Sequence, residues 1–319
     1  MRLQIRHETT YRYDPPAAGL GLALRLFPSA APSQAVVSWT VQAGGQEVAP
    51  LLVNGFGDKE ALWLAGTPAK DLTIAAEGVV ETTETGGVLG RYGRARPGVF
   101  LRCTERTEPD DAIRDFAAGV TGVDALSWLH ALNAAAGAAI AYRPGATHAA
   151  ATAAEALALG AGVCQDQAHL FLSAARLRGH PARYVVGYLH DAETAHAETH
   201  AWAEAHVEGL GWVGFDPTHG RSPTADYVRL CAGLDAADAA PIRGTWRGAA
   251  EESLAATVRV AQVVAYEGCR AARHLHCLVF QTFADPAVAT VDCRPDTDLR
   301  RNAVQALRIS HRGVVLTGG

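Results

Sequence analysis

Three residues of this chain have the types and the spacing for nucleophilic attack on a carbonyl. Cys164 follows Gly160 and Gly162 and leads into Gln165–Arg178, a run that reads as a helix. At a helix start the unpaired N–H groups and the macrodipole stabilise a thiolate, and the glycines allow a tight approach from the loop side. A thiolate needs a base, and the base needs an orienting group. His200 lies 36 residues further on in an alternating stretch, and Asp216 lies 16 residues beyond it at the tip of the next, kept extended by Pro217. A 16-residue separation suits two adjacent antiparallel strands joined by a turn, with His and Asp side by side. A helix packed on that sheet brings the cysteine to the imidazole, which is the Cys–His–Asp logic of acyl transfer. A lone cysteine at a helix start is usually a small buried hydrophobe. It is the three residues together, each at an element end, that point to chemistry.

The elements that must position these residues are visible in the hydrophobic period. Residues 1 to about 105 are β-rich. Leu3, Ile5, His7, Thr9, Tyr11 and Tyr13 share one face of a strand that Pro15 and Pro16 are expected to end, and Leu20, Leu22, Leu24 and Leu26 alternate again. Val37–Val41 and Leu72–Val80 are further strand candidates, and Asn54–Asp58 is a turn cluster. From Pro97–Pro109 onward the pattern turns helical. Asp110 and Asp124 suit helix starts, and Thr152 with Glu155 forms a capping box before a short helix that Gly160 stops. The helix after Cys164 is apolar on most faces and therefore central. Arg183–Tyr188, Thr199–Val207 and Trp212–Asp216 then read as antiparallel strands, and 217–264 as mostly loop with a strand near Thr257–Val264. The expected fold class is α+β, with the cysteine helix packed on an antiparallel sheet. The expected organisation is a β-rich N-terminal domain over 1–105, a core over 106–264 and an unassigned segment over 265–319.

Composition narrows the function classes. The 319 residues are 49% hydrophobic and 19% charged, enough for a sizeable core. A net charge of −5 excludes nucleic acid as the main partner. No apolar run approaches the roughly 18 residues of a membrane span, and the start MRLQIRHETTYRY lacks the apolar region of a secretory signal. The expected compartment is the cytoplasm. The six cysteines form no CxxC, so reduced thiols are expected rather than a zinc site or a disulfide framework. His196 and His200 lie four apart, but HAETH is not HExxH and sits in a strand, so no metal is expected there. There is no dinucleotide or phosphate-binding glycine motif in a strand–helix context and no EF-hand run. No cofactor is expected, and the partner is a protein or peptide substrate.

Four stretches carry a family resemblance: Gly162-Val-Cys164-Gln-Asp166-Gln-Ala-His169, Gly179-His-Pro-Ala-Arg183-Tyr-Val-Val-Gly-Tyr188, His200-Ala-Trp202-Ala-Glu204 and Gly211-Trp-Val-Gly-Phe-Asp216-Pro-Thr218. In order and spacing, over roughly residues 120–264, they resemble the bacterial transglutaminase-like family. Tyr142-Arg-Pro-Gly145 and Thr152 resemble the segment before the family's cysteine. Tyr11-Arg-Tyr13 and Asn54-Gly-Phe-Gly57 resemble its extra N-terminal region. Gly233–Pro241 resembles a family segment in which Arg is expected where this chain has Leu234. The resemblance implies a papain-like core, with Cys164 as nucleophile, His200 as general base and acid, and Asp216 orienting His200. The Cys164 N–H and, by looser analogy, the Tyr142 hydroxyl would serve as oxyanion donors. The implied activity is thiol-dependent acyl transfer on protein or peptide amides. Cysteine peptidase or isopeptidase activity is the alternative within the enzyme class, and a non-catalytic protein-binding scaffold is the alternative outside it. Iodoacetamide separates the last, because a scaffold thiol reacts no faster than a free one.

Of the 28 basic residues, only Lys59 and Lys70 are lysines, both outside the matched core. Self-crosslinking through lysine is therefore expected to be weak. On denaturing gels the purified chain should form no covalent ladder relative to Cys164→Ala. A ladder that disappears in the Lys59→Arg, Lys70→Arg double variant would contradict this.

Overall fold

The chain opens with a 26-residue strand, β1 (Arg2–Phe27). It is followed by β2 (Gln34–Ala43), β3 (Gln46–Glu47), β4 (Leu52–Val53), β5 (Lys59–Leu64) and β6 (Ala69–Thr82), in an antiparallel sheet of order β3-β2-β6-β1-β5-β4. Pro15 and Pro16 do not end β1. They lie where its register shifts, as residues 2–12 pair with β6 and residues 21–27 with β5. A residue without an N–H is tolerated where the ladder is interrupted. This computed structural model describes residues 1–191 and 199–263 and, beyond them, the backbone of four strands.

The core begins with β7 (Val88–Gly90). Helix α1 (Asp111–Gly119) is capped by Asp110, which accepts from the Ile113 N–H at 2.9 Å, and α2 (Ala125–Ala139) by Asp124, which accepts from the Ser127 N–H at 2.7 Å. A two-residue strand β8 (Ala141–Tyr142) precedes α3 (Ala153–Leu159), whose Thr152–Glu155 capping box forms as expected. Gly160 ends α3 at φ 65°, where a side chain would be strained. β9 (Ala161–Gly162) pairs in parallel with β8 and leads into α4 (Cys164–Leu177).

Next come β10 (Ala182–Leu189), β11 (Thr199–Val207), β12 (Gly211–Phe215) and β13 (Tyr227–Gly233). With β7 they make an antiparallel sheet of order β13-β10-β11-β12-β7. α4 lies on β10 and β11 with α1, α2 and α3 around it, and every residue from Asp166 to Arg176 is buried. The fold is thus α+β, with the cysteine helix on an antiparallel sheet behind a β-rich N-terminal region.

The segment 217–264 is not mostly loop. It holds β13, β14 (Ile242–Arg247) and β15 (Glu251–Gln262). All seven β13 residues are buried, so that strand shows no polar alternation, while β15 is almost wholly exposed. β14 and β15 both pair with β1, so the N-terminal sheet is completed by residues 242–262. Beyond residue 263, β16 (Leu275–Gln281), β17 (Ala289–Pro295), β18 (Gln305–Ser310) and β19 (Gly313–Leu316) form a further antiparallel sheet. Among the described residues, no helix is long and apolar enough to cross a membrane.

A buried charge network joins the N-terminal region to the core sheet. Glu204 accepts from Arg183 Nε at 2.5 Å and from Arg229 Nε at 2.9 Å, and Arg229 Nη1 lies 3.6 Å from Asp58 of the Asn54–Asp58 turn. Arg183 also lies over the Trp212 ring, 3.9 Å from its centre. Removing one member of such a buried set strands the others without water. Glu204→Ala should therefore lower the unfolding free energy by about 3–5 kcal/mol, read from urea denaturation, whereas Glu81→Ala at the exposed Arg2 pair should cost less than about 1 kcal/mol.

Candidate active site

α4 starts where it does because of two residues. Val163 is extended at φ −124°, ψ −176°, and Asp166 reaches back to accept its N–H at 2.8 Å. Thr147 donates to the same carboxylate oxygen at 2.6 Å. Gly162 passes so close that a Cβ there would stand 2.5 Å from Asp166 Oδ2, which accounts for its lack of a side chain. The result places Cys164, partly buried, at the first turn of a helix whose body is inaccessible.

His200 sits near the start of β11, opposite Gly187 of β10. Its Nε2 is 2.7 Å from Asp216 Oδ2, and Cys164 lines the same cleft wall as His200, near enough for the thiol to act on the charge of the imidazole. With Nε2 taken by Asp216, Nδ1 is the nitrogen left for the thiol. Asp216 follows β12 and is fully buried. The structure therefore brings Cys164, His200 and Asp216 together, with His200 hydrogen-bonded to Asp216 and Cys164 near the imidazole.

Asp216 has more partners than the spacing revealed. Oδ2 also takes the Tyr227 hydroxyl at 2.6 Å and His219 Nδ1 at 2.8 Å, and Oδ1 takes the Thr218 N–H at 2.9 Å. The Thr218 hydroxyl donates to Gln167 Oε1 at 2.6 Å, and Gln167 Nε2 donates to the Ile140 carbonyl at 2.7 Å, tying the Asp216 turn to α4. The Asp216-Pro-Thr-His219 run was the available signal for Thr218 and His219. Tyr227 gave none, since it reaches Asp216 from β13 across the sheet.

The electrostatics follow from these contacts. Burial opposes a charged His200, but hydrogen bonds to Asp216 and Cys164 and their charges outweigh it and raise its pKa to about 9. Burial pushes the Asp216 carboxyl up, yet donation from His200 and His219, the His200 charge and donation from Tyr227 hold it well below the usual carboxylate range. Burial and the Asp216 charge raise Tyr227, so its phenol stays a donor. Burial also pushes up the Cys103 and Cys231 thiols, and neither has this surround.

Cys164 and His200 open on a cleft of about 800 Å³ lined also by Tyr142, Gln165, Tyr184, Val186, Thr199 and His219, with Asp216 buried behind them. Tyr142 is 55% exposed at its rim, with its backbone opposite Gly162 two residues before Cys164. His200, Asp216 and His219 bring potential metal-ligand atoms within 4.8 Å of one another. Both ring nitrogens meet one carboxylate oxygen at hydrogen-bond distance and Tyr227 donates to it too, which is the pattern of a solvated-by-protein carboxylate. His196 lies outside the described residues. At the far end of α4, His169 Nε2 accepts the Ala236 N–H at 3.1 Å, and the Leu234 carbonyl accepts from Arg176 at 2.6 Å. The segment around Leu234 is thus held through its main chain, which any side chain at that position leaves available.

Residues 115–217 match the transglutaminase-like superfamily core, and residues 3–81 match the bacterial transglutaminase-like N-terminal region. The chain thus carries a transglutaminase-like core behind a bacterial transglutaminase-like N-terminal region. An uncharacterised protein of Mycobacterium leprae is 27% identical over 294 residues, covering 82% of this chain and 99% of that one. One of Mycobacterium tuberculosis is 29% identical over 219 residues, covering 60% and 70%. The crystal structure of a Cytophaga hutchinsonii protein, described as a candidate cysteine protease, superposes with a TM-score of 0.65 at 22% identity over 82% of this chain and 90% of that one. That likeness shows a shared fold.

The raised His200 and lowered Asp216 set a pH window. An imidazole raised above its free value of 6.5 contributes stability that is complete below that value and lost as pH rises through about 9. The lowered carboxyl contributes stability that is present above the usual carboxylate value and lost as pH falls. NMR titration should find His200 near pH 9. In Asp216→Asn, with burial no longer offset by the carboxylate, it should fall by at least about two pH units. An unchanged titration in Asp216→Asn would show that the pair is not electrostatically coupled.

Proposed function

We propose that this protein is a thiol enzyme that acts on protein or peptide amides, with Cys164 as nucleophile, His200 as proton carrier and Asp216 as its orienting partner. The observation that carries the reading is the 2.7 Å hydrogen bond from His200 to the buried Asp216, with Cys164 and His200 together in the wall of the cleft. The Cys164 thiolate attacks the amide carbonyl carbon. The resulting oxyanion takes the Cys164 N–H at the helix start, with the Tyr142 hydroxyl as second donor. Protonated His200 gives its proton to the departing nitrogen as the C–N bond breaks, leaving a thioester and a neutral imidazole. An incoming amine or water then loses its proton to His200 as it attacks the thioester, and the thiolate leaves.

Acyl transfer to an amine follows the family. Hydrolysis is the second reading, favoured by the fold shared with the Cytophaga hutchinsonii protein described as a candidate cysteine protease. We place the enzyme in the cytoplasm, where a reducing medium keeps an unpaired Cys164 as a thiol. Cell fractionation tests that placement, and recovery in a periplasmic extract would overturn it.

Incubation with a peptide pool, with and without a primary amine, separates the outcomes by mass. Gain of the amine means transfer; cleavage or deamidation means hydrolysis. Cys164→Ala should lose at least roughly 10³-fold in turnover and Asp216→Asn roughly 10²–10⁴-fold, whereas Cys103→Ala, Cys231→Ala and Cys277→Ala should keep it. Turnover retained in Cys164→Ala would sink the assignment.

A further inference from the structure

Where the N-terminal sheet meets the core there is a second groove, of about 460 Å³. Tyr11 and His7 of β1, Leu254, Ala256 and Val258 of β15, Ile242 of β14 and Thr199 of β11 line it. Thr199 also lines the Cys164 cleft and immediately precedes His200. We propose that this groove is the outer part of the substrate site, and that it takes an apolar side chain of an extended polypeptide whose reacting amide lies at Cys164. The proposal rests on the reading of that cleft as an amide-processing site.

Three features of the groove choose this occupant. Its volume falls within the roughly 300–1,000 Å³ typical of ligand sites. Its lining carries no charge at neutral pH. His7, the one titratable imidazole there, is buried, with its pKa lowered to about 4, and both its nitrogens are engaged by the Tyr188 and Thr9 hydroxyls at 3.1 Å. The rim is marked by Leu254, 56% exposed on a strand that begins Glu251-Glu252-Ser253. An uncharged wall with an exposed leucine favours an apolar side chain over an acidic or basic one.

The mode of binding follows from the sheet. Over residues 2–12, β1 is hydrogen-bonded to β6 on one edge and to β15 on the other, so a peptide cannot add to it as a strand. What remains is insertion of a side chain between β1 and β15 residues that are already held in place. The N-terminal sheet thereby reads substrate at a distance from the chemistry.

The test compares a blocked single-glutamine amide with the same glutamine in peptides extended by about six residues, which span roughly 20 Å. The extension carries either Leu and Phe or Asp and Glu. For the apolar-extended peptide, Leu254→Glu and Ala256→Trp should each raise KM by about tenfold or more with kcat unchanged. Both should leave the single-glutamine amide unaffected. An unchanged KM in both variants, or an equal loss with the single-glutamine amide, would overturn the proposal. Fluorescence anisotropy of the labelled peptides on Cys164→Ala keeps the test independent of turnover. The apolar-extended peptide should bind at least tenfold tighter than the acidic one, and Leu254→Glu in that background should remove the difference. Equal binding of the two peptides, as when the enzyme's own chain fills the groove, would also overturn it. If no amide is turned over yet this preference is found, the proposed function fails, and what stands is the groove's choice of an apolar side chain.

Discussion

Asp216 is a carboxylate with no access to water, and much of the core is arranged so that it can remain charged. Left alone at that depth it would take up a proton or cost several kcal/mol. It stays ionised because donors reach it from three places: His200 on β11, Tyr227 on β13, and the Thr218–His219 turn that follows its own strand. In the sheet order β13-β10-β11-β12, those elements are not all neighbours. β11 is the neighbour of β12 and β13 lies two strands further along on the same side, so Tyr227 reaches Asp216 Oδ2 from beyond the intervening strands while His219 reaches it from the turn. The turn is itself closed by a bridge between Asp216 and Arg221, with N–H···O distances of 2.8 and 3.2 Å.

The cysteine depends on the same carboxylate at one remove. The bond from Thr218 to Gln167 braces the Asp216 turn against α4, and the bond from Gln167 to Ile140 braces α4 against the end of α2. Thiol, imidazole and carboxylate come from a helix, a strand and a turn, and each is fixed to another by a side chain that touches no substrate. Such support keeps reacting groups within the narrow tolerances that chemistry demands.

What could be read from the sequence was what depends on local pattern. The cap residues Asp110, Asp124 and Thr152 each announced a helix, and each accepts the backbone N–H expected of it. Cys164, His200 and Asp216 could be singled out because each lies at an element end, where a change of period marks the place. Tyr227 could not, because its link to Asp216 is made by strand order, which has no signature along the chain. β13 reads as loop along the chain because a strand buried on both faces does not alternate. The prolines in β1 misled for the opposite reason. They are strong local stops, but a strand that changes partners can carry them where it has no ladder bond to lose.

The pairing of β1 with β15 sets an order on biosynthesis. Leu3 faces Gln262 and Tyr11 faces Leu254, so β1, made well before the core, meets one of its neighbours only after all of the core has been made. Until then β1 can fill one edge with β6 while the other stays open, and an open edge is a template for the wrong strand. The core helices and the β10–β13 sheet rely on closer contacts and can form while that edge waits. The sheet begun before the core is thus completed after it, and its closing strand arrives only once Cys164, His200 and Asp216 are already in the chain.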